Sequence, residues 1–292
     1  MPPVPVAAAD ARGHAARVSI RPLRRRDAPA ALALLAARPR DDLFLLDLVH
    51  QLPAPTDTVV DLVGAWRGDA LVGVAALRPT LVLQAQLPPA VRDVLMGPLS
   101  DVAAGLVRSD ARQAGELWSR LVARGRRPLV DRRETSLVLV SAQLREAAIP
   151  PGVSIRPAAT ADLEPLVEAA RASLREEGRP DPFLGDPKGF RRWVAARVVR
   201  ARVAEVDGAV VWVGYADVRL AEGHLLQGVY TWPAWRRRGI AAAGVASLCR
   251  AAFAARAEHV QLSVVEGNAP ASALYARLGF APHATLRTIL FT

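Results

Sequence analysis

The stretch VYTWPAWRRRGIAAAGVASL, residues 229–248, decides how this chain is read. It opens apolar and β-prone and closes on an alanine-rich run with helical periodicity. Between the two stands Arg236-Arg237-Arg238-Gly239-Ile240-Ala241. That order predicts a strand running into a helix through a glycine-containing turn. The first N–H groups of a helix have no partner within it, and the aligned peptide dipoles place positive potential at that end. Gly239 lets backbone approach a ligand closely, and Ala241 keeps the first turn uncluttered. Three arginines here oppose the helix dipole, which becomes favourable once an anion is bound. On these features the segment is either a solvated helix start or a diphosphate cradle.

Working outward, the strand is HLLQGVYT (224–231) and the helix GIAAAGVASLCRAAFAAR. Strand HVQLSVV (259–265), helix APASALYARL and a last strand near LRTILF follow. Upstream lies an internal repeat: Val18-Ser19-Ile20-Arg21-Pro22 recurs as Val153-Ser154-Ile155-Arg156-Pro157. In each copy an aspartate follows, Asp27 or Asp162, and then an apolar periodic stretch, the pattern of strand, N-cap and helix. Each copy also carries a hairpin signal, TVVDLVGAW and ALVGVAAL around Arg67-Gly68-Asp69, and RVAEV and AVVWVGYADV around Asp207-Gly208. Beyond that shared order the halves diverge: the first has no glycine-containing loop at the matching strand-to-helix junction. REAAIPPGV (145–153) has linker composition, which places a boundary between 148 and 149. Residues 1–17, rich in Ala and Pro, read as a poorly ordered tail.

A chain of 292 residues is long enough for two domains, each with its own core. Mean hydropathy of +0.17 comes from scattered Ala, Leu and Val, not from a membrane span, so a cytoplasmic protein without a membrane partner is expected. The lone Cys249 has no second thiol for a disulfide or a Cys-type metal site, so no metal is expected. The net charge of +10 would suit nucleic acid. However, the basic residues are all arginine except Lys188 and are spread along the whole chain, so no nucleic-acid partner is expected.

The loop resembles the Q/R-x-x-G-x-G/A pattern of the GNAT (GCN5-related N-acetyltransferase) superfamily, with Arg236, Gly239 and Ala241 at the three fixed places. Asn268, Ala271, Leu274-Tyr275 and Leu278-Gly279-Phe280 are similar to a second signature of that family, at a suitable distance. The resemblance implies tandem GNAT-like α/β units with mixed sheets flanked by helices: a degenerate one over 18–148 and an acyl-CoA-binding acyltransferase over 149–292. It implies that the amides of Arg237, Arg238, Gly239, Ile240, Ala241 and Ala242 hold the CoA diphosphate beside Arg236. It further implies that Val229, Tyr230 and Thr231 bond the pantetheine arm, with Asn268 also on the coenzyme side. The donor is then acetyl-CoA and the acceptor an amine, in a monomer or homodimer. A CoA-binding sensor or scaffold without turnover is the alternative.

Tyr275 is the candidate general acid, though its helical spacing with Ala271, Leu274 and Leu278 also fits a core aromatic. Asn268 also fits a plain N-cap. Many relatives keep a glutamate on the strand before the loop. That place falls at Leu225, on a face continuing through Gln227, Val229 and Thr231, and no carboxylate stands there. Glu222 and His224 at the strand entrance, acting through water, are the nearest substitutes, though each also fits a plain solvated turn. Between the first two helices of the second copy, Glu176, Glu177, Asp181 and Asp186 form an acidic run. With Gln227, it could receive a cationic amine or serve only solubility.

Overall fold

The two repeated segments fold alike at their starts. Asp27 and Asp162 each end a short 3-10 turn and reach back to a main-chain N–H, that of Arg24 at 2.9 Å and that of Ala159 at 2.7 Å. They fix the entry into the following helix this way, without making the forward N-cap bond expected of them. Asp162 is also gripped by both arms of Arg156, whereas Arg21, its counterpart in the repeat, stacks on the Trp66 ring at 3.7 Å.

The computed structural model describes residues 17–52 and 60–292; the expected tail up to residue 16 and the first two residues of TVVDLVGAW lie outside them. The first half comprises β1 (Val18–Pro22), α1 (Ala28–Leu35), α2 (Pro39–Gln51), β2 (Asp61–Arg67), β3 (Ala70–Arg78), β4 (Val82–Leu83), α3 (Pro89–Ser100), β5 (Gly105–Asp110), α4 (Ala111–Ala123) and β6 (Pro128–Leu139). The second half repeats the order as β7 (Ser154–Pro157), α5 (Leu163–Glu176), α6 (Pro187–Ala195), β8 (Ala201–Val206), β9 (Ala209–Arg219), β10 (His224–Thr231), α7 (Ile240–Ala254), β11 (Val260–Val265), α8 (Ala269–Leu278) and β12 (Ala281–Phe291). The repeat therefore runs to the end of both halves, further than the sequence suggested. The hairpin β8–β9 turns on Asp207 and Gly208, both with positive φ, as a two-residue loop requires.

The last strands are exchanged. One sheet runs β1-β2-β3-β4 and the other β5-β12-β6-β11-β10-β9-β8-β7. A parallel bridge between Leu81 and Val107 links them edge to edge. Thus β12 of the second half lies beside β5 of the first, and β6 of the first beside β11 of the second. The covalent boundary at 148/149 separates the repeats but not the sheets. Helices α3, α4, α7 and α8 cover one face, packing on Val107, Ile289, Leu262 and Val264, while α1, α2, α5 and α6 lie on the other. Among the described residues no helix is long and apolar enough to cross a membrane.

Helix α2 ties the halves together on its own face. Leu43 packs against Val218 and Leu225 of the second half, and Asp41 meets His283 of β12 at 2.8 Å. Next to them Asp42 is buried. Its Oδ1 accepts the Ala85 N–H at 2.8 Å, and among the described residues its Oδ2 has no partner. Burial pushes this carboxyl up to about 7, against the pull of the Ala85 N–H. Its folded pKa lies above the unfolded value, so its contribution to stability is complete at acid pH and declines as pH rises toward 7. Asp42→Asn keeps the acceptor and cannot ionise. Urea denaturation should show the variant gaining on the parent between about pH 4 and 7, by on the order of 2–4 kcal/mol, and no further above; parallel profiles would show that Asp42 ionises freely.

Candidate active site

Strands β10 and β11 run parallel but pair at only two positions, His224 with Val260 and Leu225 with Gln261. Beyond that they part, leaving the β11-facing backbone edge from Leu226 to Thr231 without a strand partner. On its other edge β10 pairs with β9, and there the register skips: Gln227 faces Tyr215, and the next pair is Tyr230 with Val213. Gly228 and Val229 form a bulge, and Gly228 has a φ of 58° that suits glycine. A glycine inside a strand is the sequence signal for this. The extra residue overturns the simple alternation expected along the strand. Leu226 and Val229 pack under α7, whereas Tyr230 packs with α5 and α6, so Val229 does not share the face of Leu225.

At the open end of the splay the chain turns through Trp232 to Arg238, and α7 starts after Gly239, whose φ is 79°. Arg237 has a φ of 61°, an uncommon value for a residue with a side chain and a strained one. The N–H groups of residues 237 to 242 donate no backbone hydrogen bond among the described residues; the first helical one is from Ala243 to the Gly239 carbonyl at 3.1 Å. Six consecutive N–H groups at one helix N-terminus are thus without a backbone acceptor among the described residues. The matching junction of the first half is closed. Leu83 N–H is taken by Ser109 Oγ at 3.0 Å and Ala85 N–H by Asp42, and α3 begins at two prolines, Pro88 and Pro89, which have no N–H to offer.

Arg236 turns inward from the loop. Its guanidinium donates to the Thr231 carbonyl at 2.9 Å and to both oxygens of Glu176 at 2.8 and 2.7 Å, and Glu176 also accepts from the Tyr230 hydroxyl at 2.9 Å. The neighbouring Glu177 accepts from Arg132 of β6 at 2.8 Å. Adjacent carboxylates at the end of α5 thus tie it to β10 and the loop on one side and to β6, beyond β11, on the other. Asp181 accepts the Phe183 N–H and Asp186 that of Gly189, so the acidic run is engaged within the chain and is not a free negative surface.

Glu222 and His224 sit at the closed end of the splay. His224 N–H donates to the His259 carbonyl at 2.9 Å, and its ring, on the α7 side with Leu248 and Ala251, has its pKa lowered by burial and then by Arg219 and His259. The bulge is four residues further on, about 13 Å at the usual rise per residue. The structure therefore places this pair at the closed end, away from the open part of the splay. Gln227 is half-buried at its edge. Asn268 accepts the Ala271 N–H at 3.2 Å, an N-cap bond. Tyr275 packs edge-on against Phe280 beside Cys249, and burial, then Cys249, pushes its phenol up.

Residues 164–280 match the acetyltransferase (GNAT) family. The match covers this segment and not the whole chain, and marks it as a GNAT domain. Among solved structures it is similar to a Drosophila protein at 13% identity, covering 93% of this chain and 98% of that one with a TM-score of 0.71. A GCN5-related N-acetyltransferase from Sphaerobacter thermophilus matches at 20% identity, covering 94% and 95%, with a TM-score of 0.60. A tandem GNAT protein from the clavulanic acid biosynthesis pathway matches at 16%, covering 94% and 97%, with a TM-score of 0.58. No curated protein matches the sequence. The fold is that of a tandem GNAT protein, with a second GNAT-like unit N-terminal to the matched segment.

The bulge can be tested by stability. A Cβ at position 228 would stand 2.9 Å from the Tyr215 ring at a φ of 58°. Gly228→Ala should cost about 1–3 kcal/mol in urea denaturation; a neutral result would mean that the strand runs straight there.

Proposed function

We propose that the second GNAT unit binds an acyl-CoA, with acetyl-CoA the expected donor, and transfers its acyl group to an amine. The carrying observation is the run of six N–H donors from 237 to 242 beside a strand that has just parted from its neighbour. A diphosphate placed there meets a helix N-terminus, and Arg237 and Arg238 remain available to it while Arg236 fixes the loop. The pantetheine arm can bond the open β11-facing edge of Val229 and Tyr230. The Thr231 carbonyl is less available, since Arg236 occupies it.

In this reading the acceptor nitrogen attacks the thioester carbonyl carbon, forming the N–C bond. Donors at the bulge of Gly228 and Val229 stabilise the oxyanion. Collapse breaks the C–S bond, the thiolate takes a proton from Tyr275, the new amide nitrogen loses its proton to water, and the phenolate is reprotonated from solvent. Burial keeps the Tyr275 phenol protonated and so able to donate, while making it a weaker acid than a free tyrosine, so its contribution rests on its position and not on its pKa. Asn268 would act through its cap, holding the start of α8 and so the placement of Tyr275.

Calorimetry with acetyl-CoA tests the cradle. Gly239→Asp should weaken binding by roughly 100-fold or more relative to Gly239→Asn, which has the same shape without the charge. Equal affinities would move the diphosphate elsewhere. Thiol release over a panel of amines tests turnover. Tyr275→Phe should lower kcat by about 10²-fold to 10⁴-fold with acetyl-CoA affinity kept. A parental rate under chemistry-limited conditions would leave Tyr275 a packing residue. The parent should show no alkaline fall in kcat below pH 10, since the acid form persists past the unperturbed phenol value.

A further inference from the structure

On the face of the central sheet beneath α2 and α5, the first half presents a polar cluster to the second half's splay. The register sets Arg108 of β5 opposite Thr288 of β12, and Thr288 opposite Arg132 of β6. Paired residues of antiparallel strands share a face, so the three form one row. Glu134, two residues along β6, lies on the same face and is buried. Arg108 donates to Ser263 Oγ at 2.7 Å and stands 3.7 Å from Glu134, whose other oxygen accepts from Arg132 at 3.0 Å. Arg132 continues to Glu177, which Arg179 approaches at 3.6 Å.

The cluster is unbalanced in two ways. Three guanidiniums meet two carboxylates, so one positive charge is in excess in a largely buried setting. Arg108 carries most of it: its side chain is 18% exposed, its one close hydrogen bond among the described residues goes to a neutral hydroxyl, and its nearest carboxylate is longer than a hydrogen bond. Burial works against its charge, Glu134 supports it, and Arg132 and Arg179 oppose it in turn; a guanidinium nevertheless keeps it. The second imbalance is Thr288. Its Oγ1 is buried between Arg108 and Arg132 and has no partner among the described residues. A surplus cation beside an unused hydroxyl is the donor set for a carboxylate.

Its place ties the cluster to the reaction. Ser263 lies two residues past Gln261, the last residue of β11 paired with β10, so Arg108 reaches the wall of the splay. On that same side α5 closes the opening through Glu176 and Glu177. We infer that Arg108, with Thr288, is the subsite for the carboxylate of an acceptor carrying both a primary amine and a carboxylate, an amino acid in its simplest form. The inference rests on the acyltransferase reading above. It gives the first half a part in the chemistry, since Arg108, Arg132 and Glu134 all come from it.

The test uses the full-length protein, acetyl-CoA and matched acceptors: amino acids, their amides and the corresponding decarboxylated amines. Thiol release should favour the free acids by about 100-fold or more in kcat/KM, as expected when a site's buried polar groups are left unpaired by the analogue. Arg108→Met should abolish that discrimination, raising KM for the acids about 100-fold with acetyl-CoA affinity unchanged, and Arg108→Lys should restore part of it. Thr288→Val, which removes only the orphan hydroxyl, should raise KM for the acids several-fold with the fold intact. Preference for amides or amines overturns the inference. So does an Arg108→Met protein that still selects the acids, or a panel in which no acid is turned over although acetyl-CoA binds. Failure to bind acetyl-CoA at all would instead sink the acyltransferase reading, and this inference with it.

Discussion

Everything in this molecule leans on the pairing of β6 with β12. The two strands run antiparallel from Ala281 against Val138 to Phe291 against Pro128, and each also borders the other half's sheet, β12 beside β5 and β6 beside β11. Neither half closes its own hydrogen-bond ladder. The apolar residues on one side of these strands, Leu137 and Leu139 of β6 and Ile289 and Phe291 of β12, are core for the helices of the opposite half. The interface between the repeats is therefore a continuous sheet interior, held by main-chain bonds that do not depend on side-chain fit.

The same pairing explains how one half can specialise while the other retreats. In the second half, β10 parts from β11 after two pairs, and the end of α5 bonds around the open edge, Glu176 to Tyr230 and Arg236, and Glu177 to Arg132. In the first half, Leu81 and Leu83 are stitched to β5 through main-chain bonds and Ser109, and the junction beyond them ends in prolines. A closed counterpart makes a stiff wall. The sheet carrying Arg108 and Glu134 to the edge of the splay is anchored at that wall.

Much of this was legible in the sequence because it is local. The repeat, the strand-to-helix order, the hairpin turns and the loop with Gly239 are patterns within a few residues, and strand 224–231 and helix 269–278 stand where periodicity put them. The strand exchange was not legible, because β6 and β12 have similar alternation and nothing local says which sheet each joins. The bulge was marked only by a single glycine, Gly228, yet it reverses the direction of Val229 and Tyr230. Glu176 and Glu177 read as an acidic loop because their arginine partners, Arg236 and Arg132, are remote in the chain. Arg108 and Thr288 carry no motif at all. Their juxtaposition comes from register between strands that are far apart in sequence.

The exchanged strands also constrain how the protein can be made. During synthesis β6 leaves the ribosome with both its edges destined for partners that do not yet exist, β11 on one side and β12 on the other. A nascent first half therefore carries an unsatisfied strand of twelve residues through the whole translation of the second. Such an edge is a template for intermolecular pairing. Charged residues along it, Asp131, Arg132, Arg133 and Glu134, blunt that hazard while the chain waits. The residues that keep the strand from aggregating before assembly thus include Arg132 and Glu134, two members of the polar cluster that forms after it.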